Sequence, residues 1–94
     1  MSFKITKDGF EAQNKNGVYV FHSPGCFTCE YHIENFKKFM NDFFIVSTME
    51  DPDFFENDGI KITPTTRIYK NNQIVWEKSG ALFDTQCEEM KGFL

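Results

Sequence analysis

The sequence predicts an α/β fold, a three-layer α/β/α sandwich around a mixed sheet that is parallel at its centre and closed by a C-terminal antiparallel hairpin. Three observations predict it. Two β-branched and aromatic runs, Val18-Tyr19-Val20-Phe21 and Phe43-Phe44-Ile45-Val46, alternate with segments of helical periodicity, which sets parallel strands side by side under crossover helices. Two later strand-like runs, 65–69 and 74–77, are parted only by Lys70-Asn71-Asn72-Gln73, a hairpin spacing. Finally, 94 residues, 40% of them hydrophobic and 17% aromatic, fill one core and not two. Residues 1–94 are therefore read as one domain.

Element by element, 3–5 forms a short strand and Thr6 is an N-cap candidate for a helix over 7–14, which Gly9 weakens. Asn16-Gly17 is a turn signal, and the strand 18–21 after it ends near Ser23-Pro24-Gly25. A helix over 26–40 follows, with Cys29, Ile33, Phe36 and Met40 on its inward side. After the strand 43–46, Asp51-Pro52 supplies a cap and a first-turn proline for a short helix ending near Gly59. The hairpin comes next, then a closing helix over 84–94 whose Cys87, Met90, Lys91 and Leu94 recur at one-turn intervals. The order is β, α, β, α, β, α, β, β, α.

Charge narrows the functional classes. A net charge of -4 argues against a nucleic-acid partner, which needs a clustered basic surface, and the one adjacent basic pair, Lys37-Lys38, reads as a solvated helix face. The first eight residues hold no apolar run of signal-peptide length, and no later segment is long enough to span a bilayer, so a cytoplasmic protein is expected. In a reducing compartment three cysteines do not make a disulfide framework. A close pair is better explained by redox chemistry or metal binding.

That pair is Cys26-Phe27-Thr28-Cys29, at the junction of a strand and a helix. A CxxC in the first helical turn brings two sulfurs within bonding reach, and the free amides and dipole of the helix N-terminus favour a thiolate on the outer one. Cys26 would attack a substrate disulfide, and Cys29, one turn deeper, would resolve the mixed disulfide. A structural zinc would need four ligands. The remaining candidates are His22, His32 and Cys87, with no second knuckle to pair with the first, so redox chemistry is preferred. Far along the chain, Ile62-Thr63-Pro64-Thr65 places a proline at the very start of a strand, where a ladder amide is normally required. A cis Thr63–Pro64 bond there would leave an edge for an extended substrate segment to pair with beside the cysteines.

Gly59-Ile60-Lys61-Ile62-Thr63-Pro64-Thr65, then Tyr69-Lys70-Asn71-Asn72-Gln73, then Gly80-Ala81-Leu82 together resemble the distal half of the thioredoxin family, and the resemblance extends over nearly the whole chain. It implies a thioredoxin fold and a protein-disulfide reductase. Cys26 and Cys29 take the redox roles by it, while Thr63, Pro64 and Gly80 line the substrate groove. The motif residues Phe27 and Thr28 are candidates for tuning substrate choice. Other than the redox-active Cys26–Cys29 disulfide no cofactor is expected, and no metal. The implied partners are disulfide-containing client proteins, with a thioredoxin reductase or glutathione as electron donor to a monomer.

The chain departs from the family pattern around the pair. Gly25 stands where thioredoxins usually carry tryptophan, and Phe27-Thr28 replaces Gly-Pro. The family's buried aspartate falls on Val20 and its lysine partner on Ile45, so the usual proton relay to the second cysteine is missing. His22 is the nearest substitute in sequence. It reads first as a packing ring at the strand end, with proton acceptor as the functional hypothesis. Cys87 reads as a small apolar filler, and Glu88 and Glu89 as surface. Two other functions compete. A glutaredoxin-like enzyme fits the short chain and the missing aspartate, but 76–80 lacks the paired glycines that hold glutathione. A non-catalytic binding module fits the fold and leaves the intact CxxC and its facing proline unexplained.

Overall fold

The computed structural model describes residues 2–5, 7–12, 14–23, 25–47, 59–60 and 62–94. Among them five strands form one sheet, β1 (Ser2–Ile5), β2 (Gly17–His22), β3 (Phe43–Ser47), β4 (Thr65–Lys70) and β5 (Gln73–Ser79), in the spatial order β1-β3-β2-β4-β5. The helices are α1 (Lys7–Ala12), α2 (Phe27–Phe36) and α3 (Asp84–Lys91). β1, β3 and β2 run parallel, β4 pairs antiparallel with β2, and β5 closes the edge antiparallel to β4. The mixed sheet with a parallel centre and a terminal hairpin is the one the sequence predicts. Thr6 and the helix expected from Asp51-Pro52 lie outside the described residues.

Strand alternation sorts the apolar residues of the one domain into two layers, one on each face of the sheet. Val18, Val20, Phe43, Ile45, Ile68 and Trp76 face Phe36 of α2 and Cys87 and Met90 of α3. Tyr19, Phe21, Val46 and Tyr69 face the opposite side, where Phe10 of α1 covers them. Phe10 meets Tyr19, Phe21 and Tyr69 edge-on at centroid distances of 5.5, 5.3 and 5.9 Å, the T-shaped geometry that the ring quadrupoles favour. Arg67 is buried in the same layer, its Nε donating to Glu77, its Nη1 to the Tyr69 hydroxyl at 2.9 Å, and its guanidinium lying over the Phe21 ring. A buried cation persists only with such pairing.

Helix ends differ from the sequence reading, each for a local reason. α1 stops at Ala12, short of residue 14, because the chain beyond it is taken up by the hairpin turn. Lys15 N–H donates to Asn72 Oδ1, Asn71 N–H to Asn16 Oδ1, and Asn72 Nδ2 to Asn14 Oδ1. Asn71 and Asn72 form a two-residue loop with φ of 52° and 67°, a conformation asparagine tolerates, which lengthens the hairpin strands to 65–70 and 73–79. α2 stops at Phe36 instead of Met40. Its last turn tightens into bonds from Lys38 N–H to Asn35 O and Phe39 N–H to Phe36 O, which lets Phe39 and Met40 swing onto the core. α3 ends at Lys91, leaving Leu94 exposed beyond it, while Lys91 itself is exposed and sets its ammonium over Phe39.

α2 carries the cysteine pair, so its seat on the sheet matters most. Phe36 is fully buried and meets Phe43 edge-on at 4.9 Å. Phe36→Ala is predicted to cost about 3–5 kcal/mol of stability through the cavity it leaves, measured as a lowered midpoint in urea unfolding with the slope of the transition unchanged.

Candidate active site at the start of helix α2

β2 runs out at His22 and the chain turns through Ser23 and Gly25 into α2. Gly25 has φ of +73°, and a Cβ placed there would meet nothing within 4 Å. Backbone conformation, not space, calls for glycine at this point. Cys26 is the N-cap of α2, with extended dihedrals and its Sγ accepting the Cys29 N–H at 3.2 Å. The Cys26 carbonyl accepts Glu30 N–H, the first bond of the helix. A sulfur thus does what a serine or aspartate oxygen does at an ordinary cap.

The two thiols are pushed in opposite directions. Cys26, partly exposed, is lowered from the ordinary thiol value, first by its hydrogen bond with the Cys29 thiol; burial opposes this, and the Cys29 amide, the Thr63 hydroxyl and the Thr28 backbone add to the lowering. Cys29 is fully buried, and burial raises it, with the hydrogen bond to Cys26 adding to the rise. Cys87, buried in the core between sheet and α3, is raised by burial and by Asp84 and Glu88. All three are free thiols. Cys26 alone combines access with thiolate character.

The structure brings most of the predicted residues together. The Thr63–Pro64 bond is cis, and Pro64 is buried with its carbonyl accepting Gly80 N–H at 2.7 Å, so the three residues expected to line a groove form one unit. The Thr63 hydroxyl acts on both sulfurs and pairs with Ser23 Oγ at 2.9 Å. Phe27, 86% exposed, and the exposed Thr28 stand on the outer side of the first turn. His22 is half-buried beside Ser47 of β3, with its Nε2 shut off from solvent. The thiol shifts run through Thr63, Ser23, Thr28 and the cysteines themselves. Beyond Gly80 an open groove of about 470 Å³ continues between Tyr31 of α2 and Ala81, Leu82 and Phe83 before α3.

Two residues near the pair escape sequence reasoning. Ser23 is one. The other is His32, one turn below Cys29 and 1% exposed, where the sequence reading puts Ile33 in the inward stripe and weighs His32 as a zinc ligand. Its Nε2 lies 2.8 Å from Thr66 Oγ1 of β4, and its Nδ1 accepts Leu82 N–H at 3.4 Å. These bonds assign a neutral ring with the proton on Nε2, donated to Thr66. The signal available in the sequence was position: Cys29, His32 and Phe36 follow helical spacing as well as Cys29, Ile33 and Phe36 do. Among the described residues no three metal-ligating side chains cluster.

Comparison with solved structures follows the same lines. Thioredoxin f2 of Chlamydomonas reinhardtii superposes with a TM-score of 0.81 over 99% of this chain and 96% of its own, at 19% identity. The chain has the thioredoxin fold. A Malassezia sympodialis thioredoxin (TM-score 0.78, 19% identity, 98% of this chain and 90% of that one) and the short form of spinach chloroplast thioredoxin f (0.74, 24%, 97% and 91%) agree. So does a thioredoxin f2 solved in complex with ferredoxin:thioredoxin reductase (0.72, 21%, 98% and 94%). No protein-family model and no curated protein matches the sequence.

Burial drives His32 down to about 4 from its usual 6.5. Between those values the unfolded chain binds a proton that the folded one refuses, so stability rises with pH across that window. The contribution is complete above about pH 6.5 and is lost as pH falls toward 4. Urea unfolding between pH 4 and 7.5 is predicted to show this acid-side loss, and His32→Gln, whose amide does not titrate, to flatten it.

Proposed function

We propose that the chain is a thiol–disulfide oxidoreductase that reduces protein disulfides, with Cys26 as nucleophile and Cys29 as resolving thiol. The observation that carries this reading is the geometry of the pair: a partly exposed Cys26 caps α2 by accepting the amide of a fully buried Cys29 at 3.2 Å, and the thiols are shifted in opposite directions to match. Cys26 thiolate attacks one sulfur of a client disulfide and a mixed disulfide forms as the other client sulfur leaves. Cys29 then gives its proton to the released client thiolate and attacks Cys26 Sγ, closing the Cys26–Cys29 disulfide as the client sulfur bound to Cys26 departs and takes a proton from solvent. Two electrons have passed from the Cys26–Cys29 dithiol to the client.

Client binding is read from the surface around the pair. Phe27, Tyr31, Ile62 and Phe83 are exposed apolar side chains, and patches of this kind mark interaction sites. An extended client segment would lie against Thr63, Pro64 and Gly80, with Phe27 and Thr28 beside its cysteine. His22 remains the sequence-derived proton acceptor, and its test is His22→Phe, expected to lower the rate of disulfide reduction and change its pH profile.

A dithiol reductase is the proposed electron donor. Support comes from the thioredoxin f2 complex with its reductase and from the absence of glutathione-holding paired glycines in 76–80. The glutathione-dependent reading rests on the apolar Val20 and Ile45 in place of the charged pair. The chain is taken to work as a monomer in a reducing compartment, the cytoplasm by the sequence reading.

Dithiothreitol-driven insulin reduction tests the activity. Wild type is expected to accelerate turbidity and Cys26→Ser to fall to the uncatalysed rate, whereas Cys29→Ser should accumulate a mixed disulfide on Cys26, visible by mass spectrometry. Equal rates for wild type and the Cys26→Ser, Cys29→Ser double variant would favour the binding module. With NADPH as the electron source, support by thioredoxin reductase and not by glutathione with its reductase is the expected result.

A further inference from the structure

The Ser23 and Thr63 hydroxyls are 2.9 Å apart, joining the exit of β2 to the residue before Pro64 across 40 positions of sequence. Neither is fully exposed, and the Thr63 hydroxyl lowers both thiols, Cys26 and Cys29. Each hydroxyl has one proton and two lone pairs, and the bond between them uses one proton of the two. The direction of that bond decides what Thr63 offers the cysteines. When Ser23 donates, the Thr63 proton is free for a thiolate. When Thr63 donates, only its lone pairs remain, and those suit an S–H donor.

We infer that Ser23 is a positioning residue: it sets the direction of the Thr63 hydroxyl and so determines which of the two sulfurs is held as a thiolate. With Cys26 ionised, the chain Ser23 O–H to Thr63 O–H to Cys26 Sγ runs in one direction, and each bond polarises the next. With Cys26 in a mixed disulfide, the chain reverses. Thr63 then donates to Ser23 and accepts from the Cys29 thiol until that thiol ionises, after which Ser23 again donates and Thr63 turns its proton to Cys29. Neither hydroxyl takes up or loses a proton. Val20 and Ile45, the positions where the family pattern carries a charged pair, are buried and apolar here.

Ser23 also reaches Cys29 through its backbone, which lowers that thiol. Replacing the side chain leaves the backbone contact in place, so Ser23→Ala isolates the hydroxyl. Among the described residues, the other titratable groups on the elements that carry the pair are Glu30 in the first turn of α2, His22 at the end of β2 and His32 behind Cys29. All are retained in the variants, and the comparison among variants cancels them.

The inference rests on the oxidoreductase reading for its consequence and can be tested apart from it. The pH dependence of iodoacetamide alkylation at Cys26, resolved by mass spectrometry, is measured for wild type, Ser23→Ala, Ser23→Thr, Thr63→Val and the Ser23→Ala, Thr63→Val pair. Ser23→Ala should raise the Cys26 midpoint by about half a pH unit, the worth of a weakened hydrogen bond. Ser23→Thr should restore it. Thr63→Val should raise it at least as much, and adding Ser23→Ala to Thr63→Val should change nothing further. Should Thr63→Val not fold, Thr63→Ala serves in its place. An unmoved midpoint in Ser23→Ala, or a Ser23→Ala effect undiminished without the Thr63 hydroxyl, overturns the inference. Insulin reduction by wild type is run alongside. An inactive wild type with the Ser23 effect present removes only the oxidoreductase reading, and an active wild type without that effect removes only this one.

Discussion

The bond from Cys29 N–H to Cys26 Sγ is the constraint on which the site depends. It satisfies an amide that an α-helix leaves without an intrahelical partner, and it does so with a sulfur. A sulfur accepts best when ionised, so the capping contact also favours the thiolate that the proposed nucleophile needs. The same contact fixes the polarity of the pair. Cys26 stays outside the helix at the surface, and Cys29 turns inward against the sheet, where burial holds it as a thiol.

Four ties around that contact keep it in place. Phe36 anchors α2 on the sheet through Phe43, and His32 ties the middle of the helix to Thr66 of β4 and to the backbone at Leu82. Gly80 N–H holds the Pro64 carbonyl, and Ser23 holds Thr63. The groups that meet at the cysteines thus come from the exit of β2, the first turn of α2, the entry of β4 and the segment after β5. The spatial order β1-β3-β2-β4-β5, which puts β2 and β4 side by side, makes that meeting possible.

Much of this was legible in the sequence because apolar periodicity and turn chemistry act locally. Val18 to Phe21 and Phe43 to Val46 sit where their alternation sends them, Asn71-Asn72 turns the hairpin, and the proline of Thr63-Pro64 begins a strand in the cis form. Cys87 is the core filler its neighbours suggest. The less legible features are tertiary. α1 ends where the hairpin asparagines claim the chain, and α2 ends where Phe39 and Met40 are drawn to the core. His32 takes the innermost position of α2 ahead of Ile33 because Thr66 and Leu82 satisfy its ring, and partners 34 and 50 residues away leave no mark on helical spacing. Ser23 gains its meaning from Thr63, equally far along the chain.

The central claim is that the start of α2 separates the ionisation of two cysteines in one motif. Alkylation of the reduced wild-type protein by iodoacetamide across pH 4 to 11, with Cys26, Cys29 and Cys87 resolved by mass spectrometry, tests it most directly. The account predicts a Cys26 midpoint below the ordinary thiol value of 9.0, with Cys29 and Cys87 titrating above it. A Cys26 midpoint at or above that value, or Cys29 ionising first, would contradict it.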